Sequence, residues 1–182
     1  MNMSSLKKLK SLNDLPKEYH QTPISQLVAY HNFREEHKDY EKAQMLIGSC
    51  MDFRTRLTIP NKFAFVIRNG GANLHYSEFH IAYALSVAQL KHMAVIGHTD
   101  CGMVNLNARK DIFIAGLAEN VGWDEGNAER FFNHYAPQFE IRDAVEFTLK
   151  QVNMLRKRFP EIQIIPLIHN VEDHLLYLIE EN

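Results

Sequence analysis

Cysteine is scarce in this chain, with two in 182 residues, Cys50 and Cys101. Two thiols cannot form the multi-bridge framework of a small secreted scaffold. A single Cys50–Cys101 bridge would need an exported protein. The start, Met1–Lys10, is basic but lacks the apolar core of a secretory signal, so the expected setting is cytoplasmic, with the thiols free, buried or metal-bound. Long apolar runs are missing too. None approaches the roughly 18 residues of a membrane span, and no membrane partner is expected. Charge of one sign is also lacking: 20 Lys and Arg face 22 Asp and Glu, a net charge of −2. With no basic stripe interleaved with aromatics, nucleic acid is not an expected partner. There is no internal repeat, no low-complexity tract and no Gly/Ser/Pro-rich linker, which fits one domain overall.

What remains reads as an α/β chain. Residues 1–43 are taken as an N-terminal arm and helix. The arm holds Pro16 and Pro23 and at most one helical turn, and either docks on a neighbouring subunit or serves as a weak surface-binding segment. A helix is expected from Ile24 to about Lys42. Residues 44–182 form the core. Short apolar runs at 44–49, 63–67, 93–97 and 162–168 read as buried strands. A helix packed on several sides is expected over 76–91, and a second follows the stripe Ile141, Val145, Leu149, Val152 and Leu155. Residues 111–138 read as short helical pieces broken at Gly116, Gly122, Gly126 and Pro137. Residues 174–179 read as an edge strand in preference to a last helix. Strands alternating with helices imply a mainly parallel sheet flanked by helices.

Two clusters carry the chemistry: Cys50-Met51-Asp52-Phe53-Arg54 and His98-Thr99-Asp100-Cys101-Gly102. Each directly follows a strand, where open α/β sheets collect functional groups. Alone, a cysteine after a strand is most often a small buried hydrophobe, and His-x-x-Cys is common by chance. Together they offer two thiolates and an imidazole, a zinc ligand set with the fourth tetrahedral position open; cobalt and iron suit these donors less well. For Cys50 to meet His98 and Cys101, the first and third strands must be neighbours. Counted along the chain, this gives sheet order 2-1-3-4 with a switch point at the chemistry.

Alternation puts Cys50, Asp52 and Arg54 on one side. A free carboxylate beside an open metal position would bind and block it. An arginine gripping Asp52 bidentately prevents this, leaving the carboxylate to orient a metal-bound hydroxide. Residues 102–108 are expected to start a short helix whose free N–H groups favour the Cys101 thiolate. Asp100 either faces solvent or accepts the ring N–H of His98. The Arg68-Asn69-Gly70-Gly71-Ala72-Asn73 segment lacks phosphate-loop spacing, so its glycines are assigned to close backbone approach at the cleft. His75, His80, His92 and His134 have no mutual metal-ligand spacing and read as surface or core residues.

These motifs resemble the β-class carbonic anhydrases: Cys50-x-Asp52-x-Arg54, the strand ending in Arg68-Asn69-Gly70-Gly71, the following helix, and Gly97-His98-x-x-Cys101-Gly102. The resemblance is close over 44–106 and loose over 140–170. It implies zinc-dependent, reversible hydration of carbon dioxide to bicarbonate and a proton through a zinc-bound hydroxide, with Cys50, His98 and Cys101 as ligands and Asp52 and Arg54 as the catalytic dyad. It also implies an antiparallel fifth strand and a homodimer or higher homo-oligomer whose N-terminal helices embrace the partner. Met51 and Phe53 stand where many members have small residues, and Thr99-Asp100 and Gly70-Gly71 resemble a divergent branch that includes hydrolases of carbonyl sulfide and carbon disulfide, an alternative on the same site. A non-catalytic zinc-binding relative is the third reading.

Overall fold

Every residue of Met45–Cys50 is buried, as are all but the first of His92–His98, so neither run has a face for water. Strands of this kind need cover on both sides, which a parallel sheet between helices supplies. The computed structural model describes residues 5–181, and residues 1–4 of the basic start, with residue 182, lie outside the described residues. The elements in chain order are β1 (Leu6–Lys8), α1 (Pro23–Phe33), β2 (Met45–Cys50), β3 (Ala64–Asn69), α2 (Glu78–Val87), β4 (His92–His98), α3 (Lys110–Val121), α4 (Glu125–Phe139), α5 (Ala144–Arg158), β5 (Gln163–Asn170) and β6 (Leu175–Ile179). They build one sheet of order β1-β6-β5-β4-β2-β3. Strands β5, β4, β2 and β3 are parallel in the order expected from the two clusters, and β6 and β1 add antiparallel pairs beyond β5.

On one face, Ile24, Leu27 and Val28 of α1 pack on Met45, Ile47, Ala94, Ile96, Ile165 and Leu167. On the other, Ile81 and Leu85 of α2 and Val152 and Leu155 of α5 cover Leu46, Met93, Val95 and Ile164. A third cluster, around Ile141, Val145 and Ile168, encloses Cys50 and Cys101.

Several expectations need correction. The helix expected to reach about Lys42 ends at Phe33, where Arg34 turns left-handed (φ 56°). The stretch Glu35–Asp39 has no apolar residue to bury and so no face to hold a helix on. The arm folds on its own chain: β1 pairs with β6 through Leu6↔Ile179, and Leu9, Leu15 and Tyr19 enter the α1 core. Among the described residues it also forms two short 3-10 turns, Leu12–Asp14 and Lys17–Tyr19. Helix α2 is shorter than 76–91 and covered on one side only, with Phe79, Tyr83 and Val87 exposed. Between 110 and 139 there are two full helices. Only Gly122 (φ 76°) breaks the chain, while Gly116, Gly126 and Pro137 lie inside helices. Ile141 precedes α5 and pairs instead with Val104 in a parallel bridge.

Gly97 shows how closely α5 approaches the site. A Cβ there would fall 2.3 Å from Thr148 Oγ1, 2.9 Å from Ile168 Cδ1 and 3.4 Å from the Ala144 carbonyl. Thr148 cannot swing away freely, because its hydroxyl donates to that same carbonyl (2.7 Å). Gly97→Ala is therefore expected to cost about 1–3 kcal/mol by overpacking. Urea unfolding measures it; an unshifted midpoint would show that α5 does not press on β4 here.

Candidate metal centre

Strands β2 and β4 end side by side, Ser49 opposite Ile96, so the residues just beyond both converge at one edge of the sheet. Sγ of Cys50, a ring nitrogen of His98 and Sγ of Cys101 lie within 4.8 Å of one another, and all three residues are buried. The cysteines are free thiols, so the possible bridge is not formed. The Cys50 thiol is pulled down to about 4, chiefly by the Cys101 thiol beside it, against the cost of burial. Cys101 is pushed up by the same neighbour and by burial, so the pair shares one proton.

The imidazole completes the test of fit. Nδ1 of His98 lies 2.8 Å from the Thr99 carbonyl, which as an acceptor assigns the ring proton to Nδ1. Nε2 then carries a lone pair, yet it is buried with no hydrogen-bond partner. A buried unpaired acceptor is costly unless something binds it. Two sulfurs and one such nitrogen suit a zinc ion.

Asp52 and Arg54 stand next to this cluster. The Asp52 carboxylate caps the short turn Phe53–Thr55 by accepting the Arg54 backbone N–H (2.9 Å). Arg54 Nε donates to both carboxylate oxygens (3.0 and 3.2 Å) and Nη2 donates to Oδ2 (2.8 Å). The guanidinium holds Asp52 down to about 2, against a smaller burial cost, so it is a carboxylate at any working pH. Asp52 is not among the groups that converge on the metal position. The grip expected of Arg54 is the one present.

Asp100 neither faces solvent alone nor accepts from His98. Its Oδ2 accepts from Arg54 Nη1 (2.7 Å), and its backbone carbonyl accepts from Nη2 (2.9 Å). No helix starts at Gly102; the turn runs into the Val104 bridge, and the next helical turn begins at Leu106. The Cys101 sulfur accepts from the Met103 amide, so a turn N–H does part of the work expected of a helix end. Gly70 and Gly71 do allow close approach: a Cβ on either would meet the Met103 side chain at 3.2 Å, and Gly71 has φ 65°.

Sequence reasoning missed three supporting residues. Arg68 Nε donates to the Cys50 carbonyl (3.0 Å) and Nη2 to the Asp52 carbonyl (2.5 Å), tying down the first cluster's backbone. Thr55 Oγ1 reinforces it through the Asp52 carbonyl (2.7 Å). His169 is the register partner of His98 and lies 5.4 Å, ring to ring, from His31 of α1. The available signal for His169 was its place directly after an apolar strand run, as with His98. His75, His80, His92 and His134 join no metal-binding group among the described residues.

Among solved structures, a β-carbonic anhydrase (isoform I) of Trichomonas vaginalis matches with TM-score 0.62 at 18% identity, over 92% of this chain and 99% of that one. A carbonic anhydrase of Glaciozyma antarctica matches with TM-score 0.58 at 21% identity, over 91% and 99%. An apo carbon disulfide hydrolase matches with TM-score 0.54 at 22% identity, over 78% and 80%. At such identities these likenesses speak to the fold. No curated protein matches the sequence significantly. The sequence profile of one family, carbonic anhydrase, matches residues 45–173. That span runs from the first residue of β2 to beyond β5 and takes in Cys50, Asp52, Arg54, His98 and Cys101, so this chain belongs to the carbonic anhydrase family.

Proposed function

We propose that this chain catalyses the reversible hydration of carbon dioxide to bicarbonate and a proton, with zinc held by Cys50, His98 and Cys101. The observation that carries this is the buried, unpartnered Nε2 of His98, converging with two sulfurs beside a carboxylate that is held aside. Zinc in such a site supplies Lewis acidity, lowering the pKa of water toward about 7, less far with two anionic thiolates than with three imidazoles. Asp52, kept ionised by Arg54, can only accept a hydrogen bond. It would accept the O–H of the attacking oxygen as a hydrogen bond and so turn a lone pair toward the substrate carbon, without itself becoming protonated. Arg54 keeps Asp52 from becoming a fourth ligand. Arg68 and Thr55 fix the backbone between Cys50 and Asp52, so ligand and carboxylate keep their relative placement. The released proton passes to buffer.

Stopped-flow hydration assays of zinc-loaded protein test this. Activity is expected above pH 8, with Asp52→Asn reduced by about 100-fold or more while zinc is retained. No activity above pH 8 with metal bound would reject the reading. One observation favours a second substrate class. Met51 and Phe53, the latter 86% exposed, set large apolar side chains beside Asp52, a surface suited to carbonyl sulfide or carbon disulfide. Hydrogen sulfide release separates the two.

A homodimer or higher assembly is supported by the open edge at β3, where Phe65 and Val66 are exposed, and by the unpartnered Phe79, Tyr83 and Val87 of α2. No helix among the described residues is long and apolar enough to cross a membrane. A reducing compartment such as the cytoplasm suits two neighbouring free thiols.

A further inference from the structure

The grip of Arg54 on Asp52 has a weakness. The two residues share one short turn, so their contacts move with it and do not by themselves fix where the carboxylate points. Arg68 anchors that turn through the Cys50 and Asp52 carbonyls and the Thr55 hydroxyl, leaving the Asp52 carboxylate to Arg54. Among the described residues, the one anchor of the Arg54 guanidinium outside its own turn is Asp100, 46 residues along and between the two other candidate ligands, His98 and Cys101. Four of the five N–H bonds of the guanidinium are divided between the two acids. Nε and one hydrogen of Nη2 serve Asp52, while one hydrogen of Nη1 and the other of Nη2 serve Asp100. Asp100 is itself in the left-handed region (φ 53°), which Asp, Asn and Gly tolerate best. Its side chain is 72% exposed, so as an ion pair with Arg54 it adds little to stability.

We propose that Asp100 is a positioning residue: by fixing the Arg54 guanidinium to the second ligand loop, it keeps the Asp52 carboxylate off the metal and the fourth position open. Without it the guanidinium, one-third exposed, swings into solvent, and Asp52 is free to take the metal. The inference rests on the zinc reading above.

Cobalt(II)-loaded protein and inorganic azide test it by absorption spectroscopy, azide competing for the fourth position. Asp100→Gly keeps the left-handed backbone and the carbonyl contact but removes the carboxylate. It is expected to weaken azide affinity at least tenfold with an unchanged unfolding midpoint. Asp100→Asn, which still offers an oxygen to Nη1, should stay within about threefold of the parent. The Asp52→Asn/Asp100→Gly double variant should bind azide as tightly as Asp52→Asn alone, because no carboxylate remains to capture the metal. Parent-like azide binding by Asp100→Gly would overturn the proposal, as would a double variant as weak as Asp100→Gly. If the parent binds no cobalt through its sulfurs, the zinc reading fails first, and the absence of thiolate-to-metal absorption reports that separately.

Discussion

Replacing Cys50 with serine is expected to remove stoichiometric zinc and to abolish carbon dioxide hydration, by more than the roughly 10–100-fold that loss of an outer hydrogen-bonding partner costs a metal site. A serine hydroxyl is a neutral, hard donor at any working pH, whereas the Cys50 sulfur is poised as a thiolate. Two donors would remain, His98 and Cys101, too few for a tetrahedral zinc site. The fold should persist, because Cys50 lies in a small satellite cluster and neither main core includes it. Metal analysis after gel filtration and a stopped-flow assay measure the two losses, and circular dichroism checks the fold. Zinc bound one-to-one by the serine variant would mean that residue 50 is not a ligand. Removing zinc from the parent protein with a chelator should give the same inactivity, restored by added zinc.

The second large effect is acid instability seated in α1 and β5. His31 and His169 are almost wholly buried, and burial, the leading cause in both, holds each down to about 4. His31 Nδ1 accepts the Thr58 N–H (3.0 Å), a bond that a doubly protonated ring cannot make. Nε2 of His31 and both ring nitrogens of His169 lack close partners, so a charge on either ring would be compensated only in part, by the His174 backbone at His31 and by Asp173 and Asp52 around His169. In the unfolded chain both titrate near 6.5, so between there and about 4 the unfolded state binds protons that the folded state refuses. The stability these two rings contribute is whole above about pH 6.5, falls as pH drops through the window, and is fully lost below about 4, where carboxylates such as Asp52 take over the decline. Each ring contributes on the order of 3 kcal/mol to that loss. Urea midpoints at pH 7.5, 6 and 5 should fall steadily, and His31→Gln should flatten the slope by about half. A constant midpoint from pH 7.5 to 5 would show that these rings are not held neutral.

The parallel sheet is legible in the sequence because its strands are continuous apolar runs, a pattern that double-sided burial explains for β2, β4 and β5. The run at 63–67, expected to be buried, instead forms the edge strand β3 and leaves Phe65 and Val66 exposed. The meeting of residues 50, 98 and 101 follows once those strands are aligned, since side chains just past adjacent parallel strands share one edge. Elements whose stability comes from distant partners are less legible. Leu6–Lys8 is a strand only because β6 offers it an edge, and three residues carry no period. Helical periodicity likewise says that α2 is helical but not which of its faces the sheet leaves uncovered. Gly116, Gly126 and Pro137 looked like breaks because local propensity was weighed without the α3–α4 packing that overrides it. Asp100 escaped because its partner lies 46 residues away, where neither spacing nor alternation reaches.

The register of the sheet also sets an order of events during synthesis. The sulfurs and the imidazole belong to residues 50–101, while the strand beside β4 and the one that closes over it, β5 and β6, come more than sixty residues later. A nascent chain therefore exposes its two thiols well before their shelter exists, so they must be kept reduced until β5 and β6 are made.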